Sequence, residues 1–441
     1  MIRFFAFAVL CSLIATARAD VSPNDISISS FNPDDAVAPS SSVEGPGIKI
    51  GEGTVLRPVL GVETGFVSNV FYDDTATQGA GLLRLIAQVG SSSLGQDRLH
   101  VADENANDAA ANRGDFEYRA SARAAYDLML STNDAISKTG GLGLGLTLHG
   151  LANPMGRYRF GIDEDFSRLI RAANFETDAN TNRDINGLRL SFFYQPPGRS
   201  ISGYVYYQNT IDVFERDTQR FADRMFNRLG LHPTWQWLPQ TQLYLDASWG
   251  WTTGIGSSST KVDSFPLDVT AGLATLFTLK TTFNLYAGYT NGFYSSGPSY
   301  SAPKVGVNLG YRYSPLGRVT VGYMLDYEDS INANYYRDHI VRASLQQLVV
   351  PFVLMVQPEV HFRQYNGVTV ALPTVMGPDV RNDVIIAVIA GVHYNFRNWI
   401  AATLNYRFTS AQTNYTYMIN GFTDDPSFVR HELLLGVRAA L

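Results

Sequence analysis

The sequence predicts an all-β fold, a closed antiparallel transmembrane β-barrel of about 18 strands, with 16 the alternative count. Three observations predict it. Long runs alternate apolar and polar residues, connections from residue 195 onward alternate short and long, and Trp, Tyr and Phe recur beside the short ones. In "GVNLGYRYSPLGRVTVGYMLDYE" (306–328), Val307, Leu309, Tyr311 and Tyr313 alternate with Asn308, Gly310 and Arg312. After the pivot SPLG, Val319, Val321, Tyr323 and Leu325 alternate with Thr320, Gly322, Met324 and Asp326. A period of two marks a strand with one apolar and one polar face. In a soluble sandwich the apolar face points inward; in a membrane barrel it meets lipid and the polar face lines the lumen.

The elements follow in order. Residues 1–19 read as a signal peptide: Arg3, the apolar run "FFAFAVLCSLIATA", then Ala17-Arg18-Ala19 before Asp20. The run falls short of the roughly 20 residues a membrane helix needs. Cys11 within it is the only cysteine, so a mature chain would rely on its own hydrogen-bond network rather than on disulfides. Residues 20–54, rich in Ser, Pro, Asp and Gly, are expected to form a disordered periplasmic lead-in, with a small plug or docking segment as the other option.

Residues 55–441 are strand after strand. The clearest are 56–67, 82–90, 116–129, 142–151, 157–167, 186–195, 201–213, 225–237, 242–252, 266–276, 282–292, 304–313, 318–327, 339–348, 352–364, 383–394, 399–408 and 429–441. Each is near the ~9–11 residues of a tilted membrane strand. A closed barrel satisfies every backbone donor and acceptor, as hydrocarbon demands.

Short connections at 195–200, 238–241, 277–280, 314–317, 348–351 and 395–398 alternate with long polar ones at 214–224, 253–265, 293–303, 329–338, 365–382 and 409–427. A barrel of the bacterial outer membrane has short periplasmic turns and long external loops. Trp235, Trp237, Tyr311, Tyr313, Phe352, Tyr394 and Trp399 beside the short turns read as an interfacial aromatic girdle. Residues 91–115 are the exception: long, yet on the short-turn side by parity. The last strand, "HELLLGVRAAL", keeps Leu433, Leu435, Val437, Ala439 and Leu441 on one face. It resembles the signal read by barrel-assembly machinery, with Gly436 suitably placed and Leu441 standing where Phe is usual.

The opening "VLGVETGFVSNVFYDD" (59–74) resembles that of a family of bacterial outer-membrane β-barrel porins. There an alternating strand runs into Asn-Val-Phe or Asn-Val-Tyr and then acidic residues. Asn69, Val70, Phe71, Asp73 and Asp74 carry the match here, and "GLLRLIAQVG" (81–90) resembles the second strand. The resemblance implies a pore. Barrels of similar type serve exopolysaccharide export systems.

Composition narrows the function. The 34 basic side chains, less Arg3 and Arg18, leave 32 against 40 acidic ones, which argues against nucleic acid. Only Lys49, Lys138, Lys261, Lys280 and Lys304 are lysines, so the cations are nearly all arginine, whose fork suits confined carboxylates. No zinc spacing, Walker loop or dinucleotide loop occurs, and no enzyme or cofactor is expected. His361 and His393 fall on inward or interface positions and read as wet lining rather than as a base. The acidic segments 103–108 and 421–426 lack spaced calcium ligands.

Parity places Glu117, Arg119, Arg123 and Asp127 inside, with Arg312, Arg318, Asp326, Glu359, Arg363 and Arg407. Tyr204, Tyr206, Tyr244 and Tyr286 also fall inside. They are expected either to stack sugar rings or to pack a loop or the lead-in. The functional expectation is an outer-membrane channel for polar solute, favoured as a conduit for polysaccharide export. A general diffusion porin and a plugged structural or adhesion barrel are the alternatives. Expected partners are outer-membrane lipid, the assembly machinery and periplasmic export components.

Overall fold

A computed structural model describes residues 47–50, 54–93, 115–170, 182–198, 200–368, 380–419, 422–424 and 426–441. The signal-peptide reading of 1–19, most of the lead-in and most of the 91–115 connection lie outside these residues.

A short strand, β1 (Ile48–Ile50), precedes the wall. The wall runs β2 (Thr54–Val67), β3 (Ala80–Ser93), β4 (Phe116–Leu130), β5 (Gly141–Ala152), β6 (Tyr158–Leu169), β7 (Arg183–Tyr194), β8 (Ile201–Phe214) and β9 (Arg224–Leu238). It continues through β10 (Thr241–Gly254), β11 (Leu267–Thr278), β12 (Thr281–Asn291), β13 (Ser301–Ser314), β14 (Gly317–Asp329), β15 (Tyr335–Val349), β16 (Phe352–Asn366), β17 (Val380–Arg397) and β18 (Ile400–Thr413). A hairpin of β19 (Tyr417–Ile419) and β20 (Phe422–Asp424) stands apart before the last wall strand, β21 (Phe428–Ala440).

Each wall strand pairs antiparallel with its sequence neighbours, and β21 pairs with both β18 and β2. The 19-stranded sheet, less β1, is therefore a closed ring of 18. Closure removes both sheet edges, so no row of backbone donors is left unpaired. The seam is sealed to the last residue. The Leu441 N–H donates to the Pro58 carbonyl at 3.1 Å, and the Leu441 carbonyl accepts from the Gly47 N–H at 3.1 Å. The lead-in boundary at residue 54 shifts accordingly. Ile48–Ile50 pairs with Thr54–Leu56, because the strand's first backbone groups find partners in their own chain.

The short turns hold Pro239–Gln240, Leu279–Lys280, Pro315–Leu316, Val350–Pro351 and Asn398–Trp399, all at one end. Several long connections are shorter than the alternation suggested. β15 begins at Tyr335, β16 runs to Asn366 and β18 to Thr413. Apolar alternation stops there, but the backbone ladder continues, because its hydrogen bonds do not depend on which face meets lipid.

At the long-loop end two connections fold inward. Residues 68–79 carry Val70, and the helical turn α1 (Asp134–Ser137) carries Ile136, onto inward-facing Val67, Leu82, Met129 and Leu434. The Asn133 side chain caps α1, accepting the Ala135 N–H at 2.9 Å. Asn69 fixes the first connection: its Nδ2 donates to the carbonyls of Asp73 (2.6 Å) and Val429 (3.2 Å). The Asn-Val-Phe stretch thus anchors an inward fold.

Candidate functional site

The two faces of the wall are chemically opposite. Leu60, Leu229, Leu435 and Val321 are exposed on one face, while their neighbours Gly61, Gly230, Leu434 and Gly322 are buried on the other. The polar face is the inside, because its side chains reach strands that are not neighbours. Arg224 on β9 meets Asp329 on β14 at 2.5 Å.

The long-loop half of the interior is a nearly continuous set of ion pairs. Register builds them. Glu63, Arg84 and Asp127 stand directly opposite one another on β2, β3 and β4. Arg84 donates twice to Asp127, at 2.7 and 3.0 Å, and Arg438 donates to Glu63 at 2.6 Å. Gly436 lies opposite Glu63, where a Cβ would stand 2.5 Å from the Glu63 Cγ. Further round, Asp338 accepts from Arg363 Nη2 at 2.7 Å and from His361 Nδ1 at 2.8 Å. The other ring nitrogen of His361 stands 2.7 Å from Glu359, and Tyr336 lies 4.1 Å under the Arg363 guanidinium. Lys304 holds Asp326 at 2.7 Å. The attraction between two buried opposite charges offsets their desolvation only when geometry is good, and forked arginine supplies it.

The tyrosines form a second surface. Tyr206, Tyr244 and Tyr286 stand directly opposite Gly230, Gly272 and Gly306 on the next strands. Each ring lies over its glycine, so a Cβ there would fall 2.1 to 2.4 Å from ring atoms. Tyr204 stacks on His232 with centroids 4.8 Å apart, and Arg189 sits 4.3 Å over the Tyr206 ring. Tyr244 donates to Asn284 at 2.8 Å. Rings packed this way are covered: Tyr286 is 1% exposed and Tyr244 8%. Among the described residues the wall itself supplies the packing partners.

The short-turn half differs in charge. Arg57, Arg119, Arg159, Arg189, Arg312 and Arg318 stand inward there, against Glu117, Asp163 and Asp246 among the described residues. Along one inward row Arg119, His149, Asp163, Arg189, Gln208 and Arg228 face one another across β4 to β9. His149 meets Asp163 at 2.5 Å within it. Arg119 and Asp165 are exposed although they point into the barrel. Arg123 and Arg407 stand inward at mid-height, with Arg407 opposite Glu432.

His393 also points inward, opposite Thr403. Among the described residues no group of three or more His, Cys, Asp or Glu side chains is placed to hold a metal ion. The segment 103–108 lies outside them, as does part of 421–426. Glu63, Arg84, Asp338, Lys304 and His232 were not singled out by the sequence reading. Their roles depend on cross-strand register, which alternation alone does not give.

No family model matches this chain, and no curated protein matches it. Among solved structures it is similar to the siderophore receptor PirA of Pseudomonas aeruginosa, at 10% identity and a TM-score of 0.41 over 88% of this chain and 80% of that one. It is similar to P. aeruginosa OccK2 (OpdF) in complex with glucuronate, at 12% identity and a TM-score of 0.44 over 88% and 98%. It is likewise similar to P. aeruginosa OpdK with vanillate, at 9% identity and a TM-score of 0.44 over 88% and 99%. The closed 18-stranded fold of this chain rests on its own strand pairing.

Proposed function

We propose that this chain is an outer-membrane channel for small polar solutes, a diffusion porin with a preference for anions. One observation carries the reading: a closed barrel with an apolar outer face has an interior that, among the described residues, is balanced in charge in one half and arginine-rich in the other. An apolar outside suits lipid, and a charged inside with exposed Arg119 and Asp165 suits water. Paired charges at the long-loop half present no net sign, while the arginines of the short-turn half favour anions over cations. Short turns facing the periplasm, loops facing outward and delivery by the barrel-assembly machinery through the β21 segment belong to the same reading.

Polysaccharide export is the weaker reading. It rested on open tyrosine faces, and the four rings are covered by wall glycines, His232 and Arg189. Reconstitution in planar bilayers under a salt gradient tests the proposal. The expected result is a steady conductance with an anion-selective reversal potential. Arg119→Gln with Arg159→Gln should move that potential toward the non-selective value. Absence of conductance from correctly folded barrels overturns the channel, and a cation-selective potential overturns the preference.

A further inference from the structure

One inward row holds a titratable pair that lumen water reaches. Arg119 on β4, His149 on β5, Asp163 on β6 and Arg189 on β7 stand opposite one another in turn. Residues directly opposite on neighbouring strands bring their side chains into contact. His149 Nδ1 lies 2.5 Å from Asp163 Oδ1, and the two side chains are 44% and 45% exposed. That exposure is to the interior, because the exposed Leu148 and Ile162 beside them take the outer face.

The other described histidines are placed differently. His361 is 0% exposed and sits between Asp338 and Glu359. His232 is buried, held by Asp246 and flanked by the rings of Tyr204 and Tyr244. His339 and His431 face outward, each bonded to a tyrosine hydroxyl at 2.9 Å. His393 faces inward, but Val353 and Thr403 stand opposite it and neither is a carboxylate.

Imidazole changes charge between about pH 5 and 8, a range over which carboxylates and guanidinium groups ordinarily keep theirs. Glu117, Arg119 and Arg123 face the His149 level from β4, and Asp163 and Asp165 from β6, with Arg189 beyond Asp163. With His149 neutral, the pair carries the single negative charge of Asp163. With His149 protonated, the pair is neutral and the row is more positive by one charge.

We propose that His149 is a specificity-determining residue of the channel, its charge setting how strongly the arginine-rich half favours anions. The inference rests on the channel reading above and deepens it. At the alkaline end of the range Asp163 offsets one arginine of the row; at the acid end the imidazolium cancels Asp163 and that arginine acts on passing ions. Anion preference therefore rises as pH falls. A wall charge is felt over a Debye length, ~10 Å at 0.1 M salt, so its effect on a passing ion is largest at low salt.

The test uses the full-length protein in planar bilayers under a salt gradient near ~0.1 M, with reversal potentials read from about pH 8 down to about pH 5.5. The anion-to-cation permeability ratio of the wild type should rise on the order of two-fold, as one unit charge ~8 Å from the ion path gives in water. The rise should shrink at about 1 M salt, where the screening length is ~3 Å. His149→Gln should keep the ratio at its alkaline level throughout, and His149→Arg should hold it at the acid level or above. His393→Gln should leave the step in place. Heat-modifiable gel migration verifies that each variant has formed its barrel. A wild-type ratio that stays flat or falls in acid, or a step that survives His149→Gln, overturns this inference and leaves the channel standing. Absence of conductance at every pH overturns the channel reading, and this inference with it.

Discussion

Gly272 on β11 stands directly opposite Tyr244 on β10, and the Tyr244 ring fills the space a side chain at 272 would occupy. A Cβ there would lie 2.1 Å from the Tyr244 Cζ. The obstacle is a side chain, so the ring can yield, and the direction left to it is the lumen. Gly272→Ala should therefore narrow the pore with the barrel intact. Single-channel conductance should fall, and adding Tyr244→Ala should restore it. Unchanged conductance in the single variant would mean that the ring has room elsewhere.

Arg438 and Glu63 are each 1% exposed and joined at 2.6 Å. Arg84 also stands 3.8 Å from Glu63, but its guanidinium is committed to Asp127. Arg438→Leu leaves a buried carboxylate without its main partner, a loss on the order of 3–5 kcal/mol. Replacing both by leucine removes the charge with its partner and should cost less. Thermal unfolding followed by gel migration should rank wild type, double variant and single variant in that order. A double variant as unstable as Arg438→Leu would show that the two act independently.

The strands were legible because a closed wall with an apolar outer face and a polar inner face imposes alternation along each of them. Even β9, with His232, Pro233 and Thr234 in sequence, keeps Leu229, Leu231 and Trp235 outward. Strand ends were less legible. Beyond Phe362 on β16, Gln364 and Asn366 are polar on the outward face, so the pattern ends before the ladder does. Side-chain partners were least legible. Parity puts Arg84 and Tyr244 on a face, but only register brings Asp127 and Gly272 opposite them, from residues far along the chain. β6 is less legible still, because Asp163, Glu164 and Asp165 put carboxylates on both of its faces and interrupt the alternation.

Asp73 gives a pH dependence outside the membrane. Its carboxylate accepts the Ala76 N–H at 2.7 Å and the Thr75 N–H at 2.8 Å. The Ala76 bond most of all, against some desolvation, holds its pKa below the ordinary 3.8. A depressed carboxylate stabilises above its unfolded value, and that contribution disappears as pH falls through the folded one. The turn should therefore be held at neutral pH and loosen in strong acid. Hydrogen exchange at Thr75 and Ala76, corrected for intrinsic rates, should rise in acid toward the level of Asp73→Ala. Equal protection throughout would remove the carboxylate from the account.

Val321 and Thr320 are adjacent on β14 and face opposite ways, Val321 48% exposed on the outer surface opposite Leu309, Thr320 inward opposite Gly310. Arginine at 321 would place a cation among apolar neighbours, at a cost of about 2–4 kcal/mol near the bilayer midplane. Arginine at 320 would join Arg318 in the watery interior and should cost much less. The comparison separates membrane from soluble barrels, since in water the exposed site would tolerate the charge better than the enclosed one. Folding yield into lipid vesicles and the temperature of gel-mobility change should both fall more for Val321→Arg than for Thr320→Arg. The reverse order would mean that the apolar face does not meet lipid.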